Sequence, residues 1–363
     1  MAKLPTVEDV ARVANVSRQT VSNVINSPEI VKAGTRERVV QAIEQLGYRP
    51  HASARRLRTR QSSTIGIRLD PQVNGISGSI LDHYLHALTE QAAERGMRIM
   101  LFTAKDPDDE ITQLRGLRDG ADVDAFVITS TQYNDPRISW LIDEQIPFVA
   151  FGRPWGEDMD SPKRLWVDVD GFAGTREATL HLIGRGLTRI GFLGWPDGSG
   201  TGDDRWGGWA SAMRERFSLD DRELERLTTR TDESVPHARR AVEQLAASNS
   251  LDALVCVSDS LALGAMMAVN EAGQKSFPVI GFDNSPVARA VGLSSVEQQL
   301  DLVAAATLEL LMGATGRRVV PHGGGPSHRL ITPKLVVRRS SHLAPVEEAG
   351  STSTGNHNRK ENQ

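Results

Sequence analysis

The chain of 363 residues has one cysteine and few aromatic residues, which make up 5% of it. A single cysteine, Cys256, cannot form an intramolecular disulfide or a cysteine-based zinc site, so a disulfide-stapled class is excluded and a reducing compartment is favoured. No stretch approaches the roughly 20 apolar residues of a membrane span, and charges interrupt the N-terminus where a signal peptide needs an apolar core. We expect a soluble, cytoplasmic protein without a membrane partner.

Motifs of several enzyme classes are missing as well. The glycine-rich segment 194–202 follows a predicted strand, but it is neither a GxGxxG fingerprint nor a phosphate-binding P-loop, and no GxSxG elbow occurs. The nine histidines form no HExxH motif and no metal-spaced pair with carboxylates. We therefore predict that the protein is not an enzyme and holds no cofactor and no metal.

The charge is unevenly distributed along the chain. The whole sequence carries a formal net charge of −4, yet residues 1–62 hold eleven Lys and Arg against five acids, which gives +6 there and −10 elsewhere. A basic head on an acidic body is typical of a nucleic-acid-binding module attached to a second domain, since phosphate binding needs a local cationic surface. A solvated helical face is the alternative interpretation.

The basic head predicts three short helices. Thr6 is followed by acids and then by apolar residues at helical spacing, which indicates a capped first helix. Ser17 can cap a second helix that reaches residue 26, and a third is expected over 33–46, with Gly47 ending it. We place Val39, Val40, Ile43 and Leu46 on the inner side of that third helix. Two short helices joined by a tight turn predict a helix-turn-helix.

The second helix carries polar side chains at its start and on its outer face. Arg18, Gln19, Ser22 and Asn23 can hydrogen-bond to base edges in a major groove, although they can also be ordinary exposed residues. Segment 51–60 follows, with four arginines around Leu57. This segment can become a helix against phosphates, with Leu57 as a minor-groove wedge, or remain a flexible basic linker.

These residues resemble the DNA-binding headpiece of the LacI/GalR family of bacterial repressors. The motifs that carry the resemblance are residues 6–11, 16–26, 35–39 and 46–50. It implies that Arg18, Gln19 and Asn23 set sequence specificity, that residues 54–57 form a hinge helix and that Leu57 is a lever inserted into the operator. The residues assigned to DNA contact are Thr6, Ser17, Arg18, Gln19, Thr20, Ser22, Asn23, Asn26, Tyr48, His51, Ala54, Arg55, Leu57 and Arg58.

From residue 64 onward, apolar runs alternate with amphipathic stretches. Strands are predicted at 65–69, 98–102, 125–129, 148–151, 190–193, 253–257 and 279–282, and helices include 80–95, 172–183, 235–247 and 261–272. Strict alternation predicts parallel sheets covered on both faces, and the length favours two α/β lobes.

The family resemblance continues through this body. The motifs are residues 168–171, 190–194, 205–209, 258–266 and 279–284, although Gly171 and Ser258 stand where other members have Asn. It implies an α/β fold in which a small all-α helix-turn-helix headpiece is joined by a hinge helix to a two-lobed, periplasmic-binding-protein-like effector domain. We assign residues 1–50 to the headpiece, 51–62 to the hinge, 63–342 to the effector and dimerisation domain and 343–363 to a disordered tail.

Ligands in such sheets bind beyond the carboxyl ends of strands. Asp283 and Asp259 follow predicted strands there, and Arg205 lies beyond a third, so an arginine between acids can bind vicinal hydroxyls of a sugar. Asp259 can alternatively cap a helix. Trp195, and after it Trp155, can stack on a pyranose ring, whereas Trp209 is expected in the core. The resemblance places Arg205 and Asp283 in the effector pocket, and it adds Ser258, Asp170 and Gln298.

The sequence thus predicts a dimeric transcriptional repressor that binds a pseudo-palindromic operator and is controlled by a carbohydrate, a di- or oligosaccharide. A dimer is expected because the tail has no leucine heptads of the kind that tetramerise some family members. The alternative is a cytoplasmic sugar-binding or sugar-processing protein whose basic head is incidental.

Overall fold

The computed structural model describes residues 5–48, 61–69, 78–156, 158–274, 276–313 and 327–342. The first part contains three helices, α1 (Val7–Ala14), α2 (Arg18–Asn26) and α3 (Ala33–Leu46). The Thr6 hydroxyl accepts the backbone N–H of Asp9, and the Asp9 carboxylate accepts the N–H of Thr6, so a capping box begins α1 as predicted. Ser17 caps α2 in the same way by accepting from Thr20.

The three helices share a small core of their own. Its buried residues are Val10, Ala11, Ala14, Val21, Val24, Val39, Ala42 and Tyr48. The predicted inner position of Val40 is wrong, because its side chain is 41% exposed. Val39 and Ala42 lie three residues apart on one helical face, whereas Val40 is rotated about 100° from Val39.

The remaining elements alternate between strand and helix. The strands are β1 (Thr64–Arg68), β2 (Arg98–Phe102), β3 (Ala125–Ile128), β4 (Phe148–Phe151), β5 (Trp166–Val169), β6 (Ile190–Gly194), β7 (Thr228–Arg230), β8 (Ala253–Cys256), β9 (Val279–Phe282), β10 (Ser294–Glu297), β11 (His328–Ile331) and β12 (Lys334–Val336). The helices are α4 (Gly78–Glu94), α5 (Pro107–Asp119), α6 (Pro136–Asp143), α7 (Gly171–Ile183), α8 (Gly200–Phe217), α9 (Asp221–Arg226), α10 (Val235–Ser248), α11 (Asp259–Glu271), α12 (Pro286–Val291) and α13 (Leu300–Met312).

The strands form two six-stranded sheets, as two lobes require. The first has the order β11-β5-β4-β3-β1-β2, and the second has the order β12-β10-β9-β8-β6-β7. The central pairings are parallel, for example Val127 with Val149 in the first sheet and Phe192 with Val255 in the second. The expectation of purely parallel sheets is wrong at one edge, where β12 runs antiparallel to β10. Strand β12 follows β11 of the first sheet after two residues. It therefore enters the second sheet from the side where the chain crosses between the sheets, at the carboxyl end of β10, and runs antiparallel to β10.

The chain passes between the two sheets three times. The passages lie between β5 and α7, between β10 and α13, and between β11 and β12. Helix α13 packs on β4 and β5, whereas α7 packs on α8 and β10. We call the first sheet with α4–α6 and α13 lobe 1, and the second sheet with α7–α12 lobe 2. Among the helices of the described ranges, none has the length and apolar character of a membrane span.

The central strands bury their side chains on both faces, which explains their short, nearly continuous apolar runs, whereas the edge strands β2 and β12 are partly exposed. Each of β3, β8 and β9 is fully buried along its length. Trp209 is completely buried in lobe 2, as predicted, and its indole N–H donates to the carbonyl of Ile190. These buried strands form a rigid support for the loops that follow their carboxyl ends.

Candidate DNA-binding and effector sites

The start of α2 presents an exposed polar surface. Arg18 and Gln19 are exposed and Asn23 is half-buried, and the amide of Gln19 donates to Oδ1 of Asn23 at 2.9 Å. The Arg18 guanidinium lies 3.0 Å from the carboxylate of Glu8 on α1, a partner that the sequence did not indicate. These side chains share one surface, as base readout by a recognition helix requires.

Other residues assigned to DNA contact have local structural roles. Thr6 and Ser17 are helix caps, and the hydroxyls of Ser17 and Thr20 lie 2.9 Å apart. Asn26 donates to the carbonyl of Ser22, a half-buried residue, at 2.6 Å. Tyr48 is only 8% exposed and packs in the helical core, where burial raises its pKa. Their contacts with DNA stay predictions.

The hinge residues lie outside the part of the chain that the structure describes. They are His51, Ala54, Arg55, Leu57 and Arg58. The hinge helix and the lever role of Leu57 therefore stay predictions, as does the disordered tail over 343–363.

Residues that follow the carboxyl ends of lobe 2 strands meet at Arg205, which agrees with the expectation that a ligand site lies beyond these strand ends. This arginine lies on α8 and is 5% exposed. Its Nη1 donates to the carbonyl of Val257, beyond β8, at 2.6 Å, and it lies 3.8 Å from Oδ1 of Asp283, beyond β9. Its guanidinium carbon is 3.6 Å from the ring centroid of Phe282, so one face of the group is covered by an aromatic ring.

The hydrogen-bonding capacity of Arg205 is not filled. Its Nε is buried and has no hydrogen-bond partner among the described residues. Burial lowers the pKa of Arg205, while the charges of Asp283, Asp168, Asp204 and Glu233 act in the opposite direction. Because an unsatisfied buried donor costs about 1–3 kcal/mol, a polar ligand oxygen placed here would be strongly favoured.

Asp283 is held in an unusual conformation beside this arginine. Its backbone φ is 115°, a value that a non-glycine residue rarely adopts. Its Oδ1 accepts from the amide of Gln298 at 2.6 Å, and burial raises its pKa above the ordinary value. Such strain costs on the order of 1–3 kcal/mol and is typical of ligand sites. The structure thus brings Arg205, Asp283 and Gln298 together, as expected.

Trp195 and Ser258 meet at a carboxylate that sequence reasoning missed. The indole N–H of Trp195 donates to Glu233 at 2.5 Å, and the Ser258 hydroxyl donates to the same carboxylate at 2.9 Å. Trp195 and Glu233 line a cavity of about 440 Å³ together with Thr131 and Gln132 of lobe 1. The cavity thus offers a ligand a flat apolar indole and hydrogen-bond acceptors, with residues of lobe 1 opposite.

Trp155 is half-buried and contacts residues of both lobes. The guanidinium carbon of Arg153 is 4.3 Å from its ring centroid. Its edge packs on Gly200 at the start of α8, where a Cβ would come within 2.2 Å of Cγ of Trp155. The ring of Trp195 likewise has a guanidinium over it, that of Arg205 at 5.3 Å, but of the two stacking candidates only Trp195 is among the residues that line the 440 Å³ cavity.

The carboxylates of Asp170 and Asp259 accept hydrogen bonds from other groups of the protein. Asp170 caps α7 by accepting from the N–H of Ala173 at 2.9 Å. Both carboxylate oxygens of Asp259 are bonded, one to the Ser295 hydroxyl at 2.6 Å and the other to the N–H of Ser285 at 2.7 Å. The capping interpretation of Asp259 is wrong, because the cap of α11 is Ser258. Burial raises the pKa of Asp259 to about 6.

A second group of missed residues joins the lobes. Arg153 follows β4 in lobe 1 and donates from Nε to Asp168 of β5 at 2.7 Å. Its Nη2 donates to Asp204 of α8, in lobe 2, at 2.6 Å. The positions of Arg153 at a strand end and of Asp204 beside Arg205 were the only signals in the sequence. No group of three or more metal-ligating side chains suited to an ion occurs in the described ranges.

Comparison with known proteins agrees with this architecture. The family model for bacterial regulatory proteins of the lacI family matches residues 6–51, and that for a periplasmic binding protein-like domain matches residues 179–341. The HTH-type transcriptional regulator AglR of Rhizobium meliloti (strain 1021) is 33% identical over 350 residues, covering 93% of this chain and 95% of AglR. The HTH-type transcriptional regulator CelR of Thermobifida fusca is 30% identical, with coverage of 93% and 98%.

Two solved structures extend the comparison to nearly the whole chain. A complex of the transcriptional regulator CelR with cellobiose has a TM-score of 0.67 and 28% identity, and the match covers 93% of this chain and 99% of that one. A lac repressor dimer bound to operator and the anti-inducer ONPF has a TM-score of 0.75. At 23% identity, with coverage of 94% and 100%, this second likeness concerns the fold.

The helical head and the two-lobed body define a DNA-binding regulator with a separate ligand-binding domain. The chain belongs to the lacI family of bacterial regulatory proteins. Its relatives are transcriptional regulators rather than enzymes.

Proposed function

We propose that the chain is a homodimeric repressor whose affinity for a pseudo-palindromic operator falls when a di- or oligosaccharide binds between the two lobes. Arg18, Gln19 and Asn23 read base edges, and one headpiece from each subunit binds each half-site. The ligand binds beside Arg205, Asp283 and Glu233 in the space between the lobes, which we call the cleft. No cofactor or metal takes part.

The observation that carries the ligand proposal is the buried, incompletely bonded guanidinium of Arg205. It supplies donors, while Asp283 and Glu233 supply acceptors, and a sugar hydroxyl can satisfy both kinds of group at once. Trp195, which lines the cavity of about 440 Å³, provides a stacking surface for an apolar sugar face. Cellobiose, which CelR binds in its complex, is a natural first probe.

The coupling between sites needs only a modest free energy. A ligand that changes the operator affinity 5- to 150-fold contributes about 1–3 kcal/mol of coupling. When the lobes close on a sugar, the population in which the two hinge segments lie side by side and bind DNA decreases.

The DNA half of the proposal is tested on the chain's own promoter region. Footprinting at moderate salt should protect a pseudo-palindrome. If nothing in this region is protected, the regulator interpretation fails and the sugar-binding alternative gains support.

The ligand half is tested with a thermal-shift screen of disaccharides, followed by titration calorimetry. Arg205→Lys and Asp283→Asn should weaken binding at least about tenfold, since each removes a charge or fork that the sugar uses. Arg214→Lys, on the far end of the same helix α8 and paired with Asp221, is the matched control. Unchanged sugar affinity in the first two variants would remove these residues from the site.

A further inference from the structure

The cleft contains more negative than positive charge. Two arginines, Arg153 and Arg205, face four carboxylates, those of Asp168, Asp204, Asp283 and Glu233. The site therefore has a negative local potential in a poorly solvated environment.

Neither arginine is available to pair with an anionic ligand, because carboxylates of the protein already surround it. Arg153 is bonded to Asp168 and Asp204 at 2.7 and 2.6 Å, and its side chain is 12% exposed. Arg205 has a free donor at Nε, but its charge is already opposed by the surrounding carboxylates. It can donate a hydrogen bond, whereas a full negative charge beside it would face those acids at close range.

The cavities around the site supply few further cations. The described lining of the 440 Å³ cavity contains Glu233 and Asp197 and no Lys or Arg, and Asp197 is paired with Arg230 at 3.0 Å. A second cavity of about 270 Å³, which includes Asp283 and Gln298, is lined by one exposed Arg289 and by His83, against the acids Asp283, Glu297 and Asp301.

We propose that the effector is an uncharged saccharide and that the cleft excludes phosphorylated sugars and sugar acids. This inference rests on the proposed function. Sugar hydroxyls both donate and accept, so they can satisfy the carboxylates and Arg205 together. The phosphate group of a sugar phosphate and the carboxylate group of a uronate only accept. Where such a group replaces a hydroxyl, the protein carboxylates beside it lose a donor and meet a repelling charge. Selection is then by charge as well as by shape.

The inference is tested on the full-length protein by titration calorimetry. Each neutral disaccharide that binds, cellobiose among those screened, is compared with its 6-phosphate and with its uronic acid counterpart. The neutral form should bind at least about tenfold more tightly than either anion. Anionic forms that bind equally well or better would overturn the inference and leave the sugar-effector proposal standing. If no saccharide of any charge binds, the effector proposal itself fails and takes this inference with it.

A pair of variants links the selectivity to these carboxylates. Asp204→Asn and Glu233→Gln each remove one negative charge, so the affinity ratio of neutral to phosphorylated sugar should fall at least about threefold in each. Asp221→Asn removes an exposed charge on lobe 2 outside the cleft, at 90% side-chain exposure, and should leave the ratio unchanged. An identical ratio in all three variants would show that the carboxylates do not set the selectivity.

Discussion

Nη2 of Arg153 donates to the carboxylate of Asp204 at 2.6 Å and thereby joins lobe 1 to lobe 2. Nε of the same guanidinium donates to Asp168, a buried strand residue whose pKa is raised by that burial and lowered by the arginine. Asp204 also accepts the N–H of Phe172 at the start of α7. One arginine therefore ties a strand end of lobe 1 to two helices of lobe 2.

Replacing Arg153 with Met should destabilise the protein by about 3 kcal/mol, because removal of the cation leaves the carboxylate of Asp168 buried without its charge partner. The measurement is the urea midpoint of the tryptophan fluorescence transition. Arg176→Met breaks the exposed pair with Glu215 and serves as the control, with an expected cost of less than about 1 kcal/mol. Equal losses of unfolding free energy in the two variants would show that Arg153 stabilises the protein no more than an exposed ion pair does.

If side chains of α2 contact bases, replacing them should reduce the selectivity of the protein at particular operator positions. Arg18→Ala and Asn23→Ala should each reduce selectivity at particular operator positions by about 1–3 kcal/mol and leave non-specific affinity nearly unchanged. Binding is measured by gel shift on an operator library at fixed salt. Arg38→Ala, an exposed change on α3, is the control. Uniform weakening on every sequence would show that Arg18 and Asn23 contact only phosphates.

The cap of α1 should give the headpiece a defined acid sensitivity. Hydrogen bonds from the hydroxyl and the backbone N–H of Thr6 are the main causes that lower the pKa of Asp9 from 3.8 to about 2. Since the folded pKa is below the unfolded one, this stabilisation is complete above about pH 4 and is lost as the pH falls towards 2. Asp9→Asn should therefore be less stable than the parent at neutral pH, with the difference disappearing near pH 2.

Urea titrations of the full chain, followed by the amide NMR signals of Val10 and Ala11, measure this difference. A gap between parent and Asp9→Asn that persists unchanged at pH 2 would contradict the capping account.

The hinge prediction concerns Leu57. Four arginines around it repel one another in free solution, and operator phosphates neutralise them when the headpiece binds. Inserting a leucine from each subunit unstacks a base step at a cost of a few kcal/mol, which the bent complex offsets. Leu57→Ala should weaken specific binding and reduce DNA bending together, as measured by circular-permutation gel shift, without changing sugar affinity. A variant that bends and binds its operator like the parent would support the simple basic linker instead.

The sequence predicted the parts of the structure that local signals determine. Helix caps at Thr6 and Ser17 and the left-handed Gly47 define the headpiece helices, and apolar runs define the central strands. The proximity of Arg205 and Asp283 could be predicted because parallel strands bring their carboxyl ends to one edge, and their contact with an effector stays a prediction. Strand β7, with the sequence Thr-Thr-Arg, is too short and too polar for such a signal, so Glu233 beyond it was missed.

The link between the lobes depends on contacts that no local pattern contains. Arg153 meets Asp168 across 15 positions of the chain and Asp204 across 51, after the chain has passed from one sheet to the other. The antiparallel edge strand β12 likewise exists because β10 offers it a free edge. Such features follow from tertiary packing rather than from propensity.

The most direct test of the account measures operator affinity with and without the saccharide found in the ligand screen, by fluorescence anisotropy at one salt concentration. For the parent protein, a saturating sugar should weaken operator binding at least about fivefold. Arg205→Lys and Asp283→Asn should bind the operator as the parent does and show no response at the same sugar concentration. A sugar that binds the parent without changing its operator affinity, or a full response retained in both variants, would contradict the claim that this cleft controls DNA binding.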